Sequence, residues 1–142
     1  MLVNGVVALI LTVESISDIK SQSIALPRLV IYMVFSLLGN LIFRYQSFVS
    51  LVGGIVVGVM FLGFGLLTKE GVGYGDGAMF MCLGAVLGLY ENLRLLMYSL
   101  LVASVVGGLY ALVRRKGLKI QIPFIPCVLV TFLIIWLVEV IG

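Results

Sequence analysis

Six apolar stretches, separated by short polar interruptions, take up nearly the whole chain. They run Leu2–Ser17, Leu26–Phe43, Phe48–Leu67, Gly77–Tyr90, Leu93–Val113 and Pro123–Ile141. None alternates apolar with polar residues in the way a transmembrane barrel strand must. The spans therefore read as helices, the other backbone form that satisfies its own hydrogen bonds in hydrocarbon. A bilayer core takes about 20 apolar residues per crossing. The fourth stretch is shorter, which suggests a helix that starts in the headgroup region or tilts little. The pattern predicts an all-α membrane protein, a polytopic bundle of about six transmembrane helices.

Composition agrees. Of 142 residues, 63% are hydrophobic and 11% charged, against about 25% charged in a soluble domain, and the mean hydropathy is +1.31. We expect a single transmembrane domain over residues 1–142. Met1–Val13 lacks a basic leading segment and a small-residue cleavage site, so it reads as a retained first span. Cytoplasmic loops collect Lys and Arg. With the N-terminus outside, the inner loops 18–28, 68–76 and 114–122 hold Lys20, Arg28, Lys69, Arg114, Arg115, Lys116 and Lys119, and the outer loops hold Arg44 and Arg94. The expected orientation is N-out, C-out, in the cell membrane. The net charge of +3 is assigned to topology and lipid headgroups, with Lys20 and Arg28 as headgroup anchors; no nucleic-acid partner is expected.

Cys82 and Cys127 lie in apolar stretches and form no Cys-x-x-Cys pair, so they read as packing residues, and no metal or cofactor is expected. The chain has no histidine, which removes Ser-His and Cys-His catalysis. Small residues at helix-packing spacing, Gly54 and Gly58, Gly84 and Gly88, Ser104 and Gly108, let helix backbones approach closely.

Asp18 and Asp76 are the only aspartates, each where an apolar stretch meets a polar loop. A carboxylate at the edge of a span is a functional candidate by default. The orientation above puts both on the cytoplasmic side. Gly73 and Gly75 flank Tyr74 and give the backbone before Asp76 unusual freedom; Gly73, Tyr74 and Gly75 are read as a supporting loop, with Tyr74 also suited to the membrane interface. The plainer readings are an N-cap for Asp76 and a solvated residue paired with Lys20 for Asp18. Glu14 lies one helical turn before Asp18, on the same face and inside the first span. It is a candidate third carboxylate of the cavity, or a carboxyl group hydrogen-bonded to a neighbouring helix. Two carboxylates a few ångströms apart share a proton and titrate as a unit. The ionised one deprotonates water and the protonated one donates to the peptide carbonyl and then to the leaving amine, so no metal is needed. The rival readings are a small proton- or cation-coupled transporter using Glu14, Asp18 and Asp76, and a non-catalytic membrane scaffold.

Gly73-Tyr74-Gly75-Asp76, followed by Phe80 and Leu83-Gly84-Ala85-Val86-Leu87-Gly88, resembles the Gly-x-Gly-Asp region of the type IV prepilin peptidase family. Asp18-Ile19-Lys20, with Ile24 and Leu26-Pro27, resembles the region of that family's first aspartate, and Ile122-Pro123-Phe124-Ile125-Pro126 its Pro-Phe-x-Pro segment. The matches fall in family order. The resemblance implies an intramembrane aspartic endopeptidase. Such enzymes remove the leader of type IV prepilin-like precursors at the cytoplasmic face, cutting ahead of the hydrophobic segment that becomes the pilin helix. By position, Asp18 and Asp76 carry over as the catalytic pair. There are departures: Ala78 stands where the family often has Lys, and Leu26-Pro27 has Leu for Ile and no following Asn. The chain opens directly on its first span, without the paired Cys-x-x-Cys module that accompanies N-methylation in many members. The expectation is the peptidase core alone, as in preflagellin peptidases, with no methyltransferase module.

Overall fold

A computed structural model of the chain describes residues 2–21, 26–68, 74–114 and 124–142, with the side chains of Ser21, Thr68, Tyr74 and Arg114 left aside. Gly73 and the basic residues Lys69, Arg115, Lys116 and Lys119 lie outside the described residues. Among the described residues five helices form: α1 (Leu2–Ser21), α2 (Leu26–Phe43), α3 (Phe48–Thr68), α4 (Tyr74–Arg114) and α5 (Ile125–Ile141). Four carry apolar segments long enough to cross a bilayer: Leu2–Lys20, Leu26–Phe43, Phe48–Leu67 and Gly75–Val113. Large apolar side chains such as Phe35, Leu41, Phe64 and Leu112 point outward, a surface suited to lipid and not to water. The protein is a multi-pass, all-α membrane protein.

Two boundaries differ from expectation. Helix α1 runs a full turn past Ser17 and carries Asp18 inside it; no Gly or Pro stops it there, and Lys20 in the last turn suits the negative end of the helix dipole. The fourth and fifth stretches are joined in α4 without the expected loop at residues 91–92. Instead, α4 breaks at Gly88, whose φ of 83° and ψ of −179° belong to a region open essentially to glycine alone. A straight helix would hold Phe80 and Asn92 about 18 Å apart. Asn92 Nδ2 nevertheless donates to the Phe80 carbonyl at 3.1 Å. The chain therefore folds back, and α4 consists of two limbs running in opposing directions.

Neighbouring side chains serve the break. Gln46 Nε2 donates to the carbonyls of Ala85 at 2.7 Å and Val86 at 3.3 Å, acceptors at the end of the first limb. The Leu89 N–H, opening the second limb, donates to Ser50 Oγ at 3.2 Å. In hydrocarbon these backbone groups would otherwise be costly. The first limb lies against α3 with the backbones in direct contact: a Cβ on Gly54 would overlap the Gly84 carbonyl, and one on Gly58 the backbone of Met81. The small-residue pairing is thus realised at Gly54, Gly58 and Gly84, whereas Gly88 makes the turn and Gly108 has open space.

Asn92 is fully buried and gives its other N–H to the Gly54 carbonyl at 3.0 Å, so one amide ties both limbs to α3. Asn92→Leu should lower thermal stability in detergent by about 1–2 kcal/mol, the scale of two lost bonds in a bundle. An unchanged melting temperature would remove that role.

Candidate active site

Asp18 and Asp76 come from different helices and lie at one end of the bundle. Asp18, at the start of the last turn of α1, is 8% exposed. The Ile125 N–H donates to its Oδ2 at 3.4 Å. Helix α5 has no side-chain cap of its own, its cap position being Phe124 and proline following in its first turn. Its leading N–H groups need acceptors, and the α1 carboxylate provides one. The solvated pairing of Asp18 with Lys20 is not what forms: Asp18 is buried and Lys20 exposed.

Asp76 lies in the first turn of α4, half-buried. Tyr74 and Gly75 are therefore helical and do not form the expected supporting loop. A first turn asks for no intrahelical N–H partner, so a glycine costs little there, and the Asp76 charge suits the positive end of the helix. That turn is pressed on α3, since a Cβ on Gly77 would stand 2.7 Å from Leu62 Cα. One turn on, Phe80 is fully buried. Its ring centroid is 5.5 Å from that of Phe61 and 6.1 Å from that of Phe124. Phe124 adjoins Ile125, the donor to Asp18. The aromatic trio thus links the turn carrying Asp76 to the helix start that touches Asp18.

Glu14 is fully buried one turn before Asp18. Its Oε1 lies 3.6 Å from Arg28 Nε. Arg28 Nη2 also donates to Ser17 Oγ at 2.8 Å. Arg28 is thus bound to α1. A carboxylate inside a span requires a nearby cation, and that requirement was the available sequence signal for Arg28. Cys82 and Cys127 are both buried, as expected of packing residues; Cys82 Sγ donates to the Leu29 carbonyl at 3.1 Å.

At the opposite end of the bundle Arg94 pairs with Glu91 at 2.8 Å and with Glu139 near the end of α5. That ion cluster lies near the break in α4, far along the helices from Asp18 and Asp76.

No solved structure matches the chain. The prepilin leader peptidase/N-methyltransferase of Bacillus subtilis (strain 168) is 27% identical over 120 residues, which are 84% of this chain and 48% of that protein. The chain spans about half the length of this curated relative. Residues 5–112, well over half of the chain, match the profile of the type IV leader peptidase family. With its aspartates gathered at one end of an apolar helical bundle, the chain belongs to the type IV leader peptidase family.

Proposed function

We propose that the chain is an intramembrane aspartic endopeptidase that removes the leader of type IV prepilin-like precursors. The observation that carries this reading is the return of Asp18 and Asp76, from separate helices, to one end of the bundle in a chain of this family. Asp18 and Asp76 are the catalytic pair. One carboxylate, ionised, takes a proton from the attacking water. The other, protonated, donates to the scissile carbonyl and then to the departing amine. The two share one proton, because like charges at short range do not both ionise readily.

In this reading the two limbs of α4 are separate crossings, which gives six in all and places both termini outside. The excess of Lys and Arg in the loops beside Asp18 and Asp76 supports a cytoplasmic site. The substrate is a leader followed by a hydrophobic helix, which meets the bundle from within the membrane.

The test is co-expression with a panel of pilin-like precursors in membranes, read as a mobility shift. Cleavage ahead of the hydrophobic segment is the expected result. Coupled uptake of protons or cations by reconstituted protein, with no cleavage of any precursor, would favour the transporter reading.

A further inference from the structure

The backbones of α1 and α2 stay more than 8 Å apart throughout the described residues, whereas α1 packs on α5 and touches α4. Among the described residues, the charged side chain that spans that interval at the end carrying Asp18 is Arg28. Its Nε faces Glu14 Oε1 at 3.6 Å, and its Nη2 reaches Ser17 Oγ at 2.8 Å. The two contacts fall on residues 14 and 17, the turn immediately before Asp18. Glu14 is fully buried, and a buried carboxylate without a partner is costly, so this contact is not readily given up. A planar guanidinium can hold two points on one helix at once, which a lysine ammonium cannot do with the same fixed geometry.

We infer that Arg28 is a positioning residue: its guanidinium, bridging Glu14 and Ser17 across the interval between α1 and α2, fixes the helical turn that presents Asp18. This rests on the peptidase reading for its catalytic consequence but not for the latch itself. Asp18 is held on its other side by the Ile125 N–H at 3.4 Å. Arg28 does not act on the reacting atoms.

The experiment has two arms. In the first, Ile19→Cys and Val30→Cys, at positions 62% and 61% exposed, carry spin labels in a Cys82→Ser, Cys127→Ser background, and the α1–α2 distance distribution is measured in detergent. A narrow distribution is expected with Arg28, and a broad one with Arg28→Leu. Because Arg28→Leu leaves Glu14 uncompensated, the double variant Glu14→Leu, Arg28→Leu is measured as well; it removes both charges, preserves folding and is expected to remain broad. In the second arm, precursor cleavage by Arg28→Leu should fall about tenfold in kcat with KM nearly unchanged, the pattern of a displaced catalytic group. Arg28→Lys should recover kcat only in part. A distribution as narrow without Arg28 as with it would overturn the inference. So would a rise in KM at constant kcat, which would make Arg28 a substrate contact. If the wild-type chain cuts no precursor, the peptidase reading fails, and the distance arm still decides the latch.

Discussion

Asp18→Asn and Asp76→Asn should each reduce precursor cleavage by about a thousandfold or more, while the protein accumulates and melts almost as the wild type does. The size follows from the chemistry. Asparagine matches aspartate in shape but can neither accept the proton from water nor hold one for the leaving amine, and such proton transfers contribute about 10²–10⁴-fold. The stability expectation follows from the contacts. An asparagine at position 18 retains an oxygen to accept the Ile125 N–H. At position 76 the loss includes the favourable placing of a negative charge in the first turn of α4, about 0.3–1 kcal/mol. Activity and folding are thus separable at both positions. Quantitative blotting alongside the cleavage assay checks this, and survival of cleavage in either variant would exclude a two-aspartate mechanism.

Gly88→Val should be among the most destabilising single substitutions in the chain, by about 3 kcal/mol or more. Two independent effects add. The φ of 83° with ψ of −179° costs any L-residue about 1–3 kcal/mol. A Cβ there would also overlap Ser50 Oγ, the acceptor for the Leu89 N–H, and crowd the Gln46 side chain that receives the end of the first limb. Gly108→Ala makes a matched comparison, since a Cβ at Gly108 meets nothing within 4 Å and a helical Gly→Ala exchange gains up to about 1 kcal/mol. Thermal unfolding in detergent should separate the two in sign. If Gly88→Ala behaved like Gly108→Ala, the break would not depend on glycine.

Much of this was legible from hydropathy, because a bilayer imposes a length on each apolar stretch. Helices α2 and α3 begin and end within a residue of the stretches that announce them. The break in α4 was not legible in the same way. Gly88 looked like half of a packing pair with Gly84, and the polar residues Glu91 and Asn92 looked like a loop. What decides between helix and turn there is Gln46 and Ser50, which are distant in sequence and were silent in any local reading. The two aspartates were legible because charge is rare in this chain. The partner of Asp18 was not, because it is a backbone N–H at the start of α5. The tie between Arg28 and α1 was not legible either, because its buried partner, Glu14, lies on another helix.

The turn at Gly88 also determines parity. A chain that continued straight through residues 75–113 would run on in one direction where it now turns back, and every later residue would arrive at the other end of the bundle. Ile125 would then be a bundle's length away from Asp18, however well α5 itself formed. The contact that caps α5 and holds the α1 carboxylate therefore depends on an even number of lengths of the bundle between them, and a single residue without a side chain supplies the reversal that hydropathy alone would have placed elsewhere.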